Sequence, residues 1–256
     1  MNNPGKENPY DTAFYTWQSD KSYQSANCVL PMVLSIVPAK SAIDVGCGVG
    51  TWASKLIECG VTDVLGMDGD YINRELLRIP QEYFQPWDLS KPIKMNRKFD
   101  LAICLEVAEH LPAHRAESLV EDLLNLAPVI LFSAAIPGQG GVNHINERYL
   151  SYWVKLFSAR DYVLLDIIRP TLWNDERCDW WYRQNTVLFV HKDNPLSRLR
   201  ITTGIDYIHP QLYDQMLEAR EASSKPTLGY LLRSFPGSFI RSIQSRTQRF
   251  SIQPDK

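Results

Sequence analysis

The stretch Ala42-Ile43-Asp44-Val45-Gly46-Cys47-Gly48-Val49-Gly50-Thr51-Trp52 decides how this chain folds. A short β-branched run passes into three alternating glycines and then into a segment with helical patterning. Glycines lack the Cβ that would hold a ligand off, so their backbone N–H groups can approach one at the carboxyl edge of a parallel sheet. The dinucleotide fingerprint is G-x-G-x-x-G/A. Here Gly46 and Gly48 are followed by Gly50, and Thr51 stands where the third small residue belongs. Asp44, two residues before the first glycine, would repel a pyrophosphate and suits a ligand carrying an ammonium group. Both departures disfavour a nicotinamide-dependent oxidoreductase.

Outward from this loop, short apolar runs alternate with helix-length segments. The runs are Ala42–Val45, Asp63–Met67, Tyr83–Gln85, Leu101–Cys104 and Val129–Phe132, with candidate helices over 22–37, 51–59, 113–126 and 147–158. Apolar strands separated by helices are the pattern of a parallel sheet buried on both faces, an α/β fold. Two further runs, Tyr162–Ile168 and Thr186–Val190, have no long helical pattern between them. They predict a hairpin that puts one antiparallel strand in the sheet. The alternation stops after Asp193-Asn194-Pro195. This predicts a lead segment over 1–21, a ligand-binding domain over 22–194, and a helical, basic extension over 195–256.

The chain has 256 residues, 45% hydrophobic and 22% charged, with a net charge of −2 and only five cysteines. These figures exclude intrinsic disorder and a disulfide scaffold, and they give no global attraction to nucleic acid. The first residues lack the apolar stretch of a secretory signal, and no run approaches bilayer-spanning length, so a cytoplasmic location is expected. Charge is uneven: from Lys225 onward the tail carries +5, leaving −7 for the rest. Leu228, Leu231, Leu232, Phe235, Phe239, Ile240 and Ile243 accompany Arg233, Arg241, Arg246 and Arg249 there. A basic amphipathic segment can contact an anionic membrane, though packing on the domain with solvated arginines is commoner.

Two more acids follow the glycine loop in series. Asp68 ends the second run, where a carboxylate can accept both hydrogen bonds of a ribose diol. Asp88 follows the third and can accept an adenine amino hydrogen. With these residues in place, the chain over roughly 20–192 resembles the class I S-adenosylmethionine-dependent methyltransferases. Their D-x-G-x-G-x-G motif falls on Asp44, Gly46, Gly48 and Gly50. The resemblance implies a Rossmann-like seven-stranded sheet, ordered 3-2-1-4-5-7-6 with strand 7 antiparallel and helices on both faces. It implies S-adenosylmethionine as cofactor, with Asp44, Gly46, Cys47, Gly48, Gly50 and Glu106 around the methionine side, Asp68 at the ribose, and Asp88 with Leu89 at the adenine. A non-catalytic cofactor-binding protein is the remaining alternative class.

After the fourth run comes Glu106-Val107-Ala108-Glu109-His110, and a helical turn beginning there would place Glu106, Glu109 and His110 on one face. The Gly-rich loop Ile136–His144 brings His144 to the same edge. Methyl transfer requires the acceptor to be positioned and deprotonated, which suits neutral imidazole. His144 is the preferred base, with His110 and Glu109 as further catalytic candidates. Alternatively, Glu106, Glu109, His110 and His144 form a ligand set for a divalent cation such as magnesium. That set resembles the E-x-x-E-H…H pattern of small-RNA 2′-O-methyltransferases and some quinone-biosynthesis O-methyltransferases, which hold a metal with it.

On the acceptor side, Trp173, Trp180 and Trp181 fall in a stretch of mixed charge, where exposed indoles could stack on a sugar ring and core packing is the competing role. Gln139, Asn143, Trp180 and Trp181 are the candidate substrate contacts. The segment from Ser133 to Glu147 resembles that of bacterial methyltransferases of polysaccharide and natural-product pathways. A small-molecule or glycan acceptor, methylated on oxygen, is the expectation; the oligomeric state stays open.

Overall fold

The computed structural model describes residues 12–199 and 204–224 of the chain, with side chains from Ser22 to residue 220. The apolar runs form β1 (Ser41–Val45), β2 (Asp63–Asp68), β3 (Phe84–Pro86), β4 (Leu101–Leu105), β5 (Val129–Ser133), β6 (Tyr162–Leu165) and β7 (Val187–His191). They join in one sheet ordered β3-β2-β1-β4-β5-β7-β6, in which β7 runs antiparallel to both neighbours and the other pairings are parallel. This is the Rossmann-like methyltransferase sheet that the resemblance implied.

The strand residues divide by parity, as the two-residue period of a strand requires. Leu101, Ile103, Leu131, Leu188 and Val190 enter the core beneath α1 (Thr12–Ile36), α2 (Thr51–Glu58), α5 (Ile168–Leu172) and α6 (Trp180–Asn185). Ala102, Cys104, Ile130, Phe132 and Phe189 enter the core beneath α3 (Ala116–Leu126) and α4 (Leu150–Ser158). Each fully buried Leu, Ile or Phe contributes about 2 kcal/mol relative to exposure. Phe157 of α4 stacks on Phe189 of β7 with ring centroids 3.8 Å apart, fixing that layer against the antiparallel strand.

Several elements differ from the sequence expectations for local reasons. α1 begins at Thr12, well ahead of Ser22. α4 begins at Leu150 because Glu147 is drawn back to the Gly138 and Gly140 N–H groups. β6 stops at Leu165, where buried Asp166 takes two hydrogen bonds from Arg169, at 2.9 and 2.6 Å. That paired turn starts α5, so β6 and β7 are antiparallel neighbours joined through α5 and α6 rather than by a tight hairpin.

The chain divides into two compact units, Met1–Leu212 and Tyr213–Lys256. The sheet and all candidate site residues belong to the first. Leu196 packs against its core, and Arg169 binds the carbonyls of Gly204 and Ile205. Helix α7 (Pro210–Ser224) begins in the first, its residues 213–224 are the described part of the second, and the basic amphipathic segment from Leu228 to Arg249 lies outside the described residues. Among the described residues no helix is long and apolar enough to cross a membrane.

Candidate functional site

The glycine loop lies at the carboxyl end of β1, folded over the end of β2. The N–H groups of Gly46 and Cys47 both donate to the Met67 carbonyl, at 2.7 and 3.1 Å. Gly46 has φ +83°, and a Cβ there would lie 2.3 Å from Cγ2 of Val107. Gly50, at φ +82°, caps the start of α2. These are backbone conformations that side-chain-bearing residues rarely adopt. The Gly48 N–H donates to Asp68 Oδ2 at 2.7 Å, so the acid that ends β2 holds the loop's middle glycine.

Two cavities flank this loop. The larger, about 410 Å³, is lined by Gly46, Gly48, Asp68, Asp88, Leu89 and Glu106 among others. The smaller, about 100 Å³, is lined by Asp44, Gly46, Cys47, Gly48 and Glu106 together with residues of α1 and α6. Gly46, Gly48 and Glu106 belong to both, so one cleft runs across the loop. Gly50 lines neither cavity and instead ends the loop.

Asp44 is buried, accepts a hydrogen bond from the Ala53 N–H, and leaves Oδ2 without a partner. Burial, and secondarily the nearby Asp68, push its carboxyl up to about 7. Asp68 Oδ1 accepts from the Gly69 N–H and the Tyr71 hydroxyl, each at 2.6 Å. Asp88 is half exposed and accepts from the Ser90 N–H and hydroxyl and from Lys91, bonds that hold its carboxyl below the usual range. Beneath it, buried Arg115 fixes the loop by donating to the carbonyls of Leu89 and Lys91 and pairing with Asp122.

The second edge of the cleft follows β4 and β5. Glu106 takes φ +54°, and the 3₁₀ turn starts only at Ala108 and ends at His110. The single helical face expected for Glu106, Glu109 and His110 therefore does not form. Glu106 turns instead toward an amide pair: Gln139 donates to Oε2 at 2.7 Å and Asn185 to Oε1 at 3.2 Å. The Glu109 side chain is wholly buried and neither of its oxygens has a hydrogen-bond partner. Burial first, and repulsion from Glu106 second, raise its carboxyl well above the usual range. Its backbone carbonyl accepts from the Ile145 and Asn146 N–H groups, at 2.9 and 3.0 Å, which draws the loop after β5 against this turn.

That loop delivers His144. Its ring meets His110 edge-on with centroids 4.8 Å apart, and its Nδ1 lies 3.0 Å from Glu147 Oε1. Gly141, at φ +147°, gives the ring room, since a Cβ there would fall 2.3 Å from His144 Nε2. His110 lines the larger cavity, and burial with the neighbouring His144 lowers its imidazole to about 4, so it is neutral at pH 7 with a lone pair available. Glu109, His110 and His144 each offer a ligand atom, all within 4.8 Å of one another; Glu106 is not in that group. Donors bound to one transition-metal ion lie about 3–4.5 Å apart, so the trio needs only slight closure to hold a cation. A buried carboxylate lacking a well-formed hydrogen bond beside two imidazoles is a donor set that fits one.

Of the expected substrate contacts, Asn143 lines the larger cavity and Gln139 reaches the cleft through Glu106. Trp180 is buried with Ile136 and Leu212, Trp181 packs beside it, and neither lines the two cavities. Sequence reasoning missed Tyr71, Glu147, Asn185, Ser22 and Tyr182. Only Glu147 carried a signal, three residues beyond His144. The others reach the cleft by tertiary packing.

Comparison with known proteins agrees with this architecture. Residues 18–133 match a family model described as a methyltransferase domain. The fold is similar to the methyltransferase domain of bacterial CtHen1, at 22% identity over 66% of this chain and 98% of that one, with a TM-score of 0.50. It is similar also to magnesium protoporphyrin IX methyltransferase from Synechocystis with bound S-adenosylmethionine, at 18% identity over 74% and 86% of the two chains, TM-score 0.51. The sugar N-methyltransferase KedS8 from Streptoalloteichus aligns at 13% identity over 75% and 96%, TM-score 0.57. No curated protein matches the chain.

Proposed function

We propose that the chain, in which residues 18–133 match a methyltransferase-domain model and the sheet has the order of that fold, is a class I S-adenosylmethionine-dependent methyltransferase that methylates an oxygen of a small polar or glycan acceptor. The observation that carries this reading is His110 on the wall of the cleft that holds the glycine loop, with the His144 ring packed edge-on against it. Bound there, S-adenosylmethionine supplies a sulfonium methyl group open to in-line displacement. Asp44 would hold the ammonium group, Asp68 the ribose diol, and Asp88 with Leu89 the adenine edge. The ribose hydroxyls would exchange with the Tyr71 hydroxyl for Asp68. Gly46, Gly48 and Glu106 sit where the nucleoside and amino-acid ends meet.

His144 takes the acceptor proton. Its Nδ1 is oriented by Glu147, which also stabilises the imidazolium that forms. His110, held neutral, lines the larger cavity beside His144 and positions the acceptor hydroxyl, assisted by Asn143. The test is mass spectrometry of candidate acceptors incubated with methyl-labelled S-adenosylmethionine. Label on an acceptor oxygen is the expected result, and label on nitrogen alone removes the O-methylation claim.

A second reading is favoured by the two unpartnered oxygens of Glu109. Glu109, His110 and His144 would hold a divalent cation, which would lower the pKa of an acceptor hydroxyl and orient it. Chelation with EDTA should then abolish turnover and added magnesium or manganese restore it. Turnover indifferent to chelation leaves the metal-free base.

A further inference from the structure

The smaller cavity is closed by elements outside the glycine loop. Ser22 lines it from α1 and Tyr182 from α6, with their hydroxyl oxygens 3.3 Å apart and both side chains buried. Tyr182 stands edge-on to Trp52 of α2, with ring centroids 5.0 Å apart, which fixes where its phenol can point. The carboxyl groups on the wall are those of Asp44 and Glu106, and among the described residues no Lys, Arg or His lines this cavity. Asp44 Oδ2, buried and without a hydrogen-bond partner, calls for a cationic group.

An anionic group on the same ligand meets neutral donors among the described residues of this wall. The wall offers the hydroxyls of Ser22 and Tyr182 and the first turn of α2 at Thr51, where the helix dipole is positive. We infer that Tyr182 and Ser22 receive the carboxylate of an α-amino-acid tail whose ammonium faces Asp44, so that the α1–α6 contact selects ligands with an intact tail. This rests on the cofactor reading above and adds to it a pair of specificity-determining residues from the two ends of the domain. Burial raises the Tyr182 phenol above its ordinary value, so it stays protonated and donates. The two hydroxyls give up their mutual bond, long for O–H···O, when both turn to a shared acceptor.

The experiment titrates the full chain calorimetrically with S-adenosylhomocysteine and with S-adenosyl-3-thiopropylamine, which keeps adenosine, thioether and ammonium but lacks the carboxylate. The wild type should prefer S-adenosylhomocysteine by roughly tenfold or more, as expected for hydrogen bonds to a charged group. Tyr182→Phe keeps the ring against Trp52 and should shrink that preference, by weakening S-adenosylhomocysteine alone. Ser22→Ala should act likewise, and the double variant should bring the preference near unity. Equal weakening of both ligands, an unchanged preference in the variants, or no preference in the wild type overturns the inference. A wild type that binds neither ligand rejects the cofactor reading as well, a result distinct from loss of the preference.

Discussion

The glycine loop and the histidine edge face one cleft, yet they are assembled differently. The loop is a contiguous run whose shape is set by its own backbone: Gly46 and Gly50 take left-handed conformations, and Asp68 holds Gly48 from the neighbouring strand. The histidine edge is gathered from afar. Glu106 is held by Gln139 and Asn185, Glu109 accepts the backbone of Ile145 and Asn146, and His144 leans on Glu147. The loop half has its carboxylates largely satisfied, Asp44 Oδ2 excepted, whereas the histidine half buries both Glu109 oxygens without a well-formed hydrogen bond, the backbone N–H groups of Glu109 and Ala135 offsetting their charge only in part. A group in that state costs several kcal/mol if charged, so this half is made to hold a proton or a cation. The first half fixes a ligand in place; the second manages charge.

The sharpest way to break that division is His144→Ala. It should lower turnover about 10²–10⁴-fold while leaving S-adenosylhomocysteine affinity unchanged, because general-base contributions are of that size and His144 lines neither cavity. Parallel label-transfer rates and calorimetry check it, and equal activity in His110→Ala and His144→Ala would put the chemistry elsewhere. Gly46→Ala should do the reverse, because its Cβ meets Val107 in a conformation that alanine resists. Strain of about 1–3 kcal/mol should weaken S-adenosylhomocysteine roughly 5- to 150-fold and lower the melting temperature.

Asp44 gives a smaller, signed effect. Its carboxyl, raised to about 7, favours the unliganded fold when protonated. That contribution is fully present below about 4 and is lost as pH rises through about 7. An ammonium ligand needs the ionised form, so affinity runs the other way. The dissociation constant for S-adenosylhomocysteine should rise about tenfold from pH 8 to pH 6, and Asp44→Asn should flatten the profile. The smallest change is expected for Asp88→Ala, below about threefold in affinity, since this acid is half exposed and held by Ser90 and Lys91.

The loop half was legible in the sequence because positive φ is a local demand that glycine advertises. The sheet was legible too, since alternate residues of β4 and β5 are apolar on both faces, and two buried layers leave that mark. The histidine edge was legible only as a residue list. Nothing in the letters announces φ +54° at Glu106, a non-glycine, so the expected helical face for Glu106, Glu109 and His110 does not form, and of the four expected ligands Glu109, His110 and His144 come together without Glu106. Helices α5 and α6 are shorter than the window in which a helical period shows. The sequence leaves open which of Trp180 and Trp181 is core and which meets an acceptor, because the burial of Trp180 depends on Leu212, thirty-two residues further on. Ser22 and Tyr182 meet across 160 residues, a distance at which only the fold speaks.

The central claim is that the cleft across the glycine loop binds an adenosyl amino acid as a methyl donor. Equilibrium binding of S-adenosylhomocysteine and NADH to the purified chain, measured side by side, tests it most directly. Saturable one-to-one binding of S-adenosylhomocysteine, lost in Gly46→Ala, with no binding of NADH, is the predicted result. Tight NADH binding without S-adenosylhomocysteine binding would contradict it.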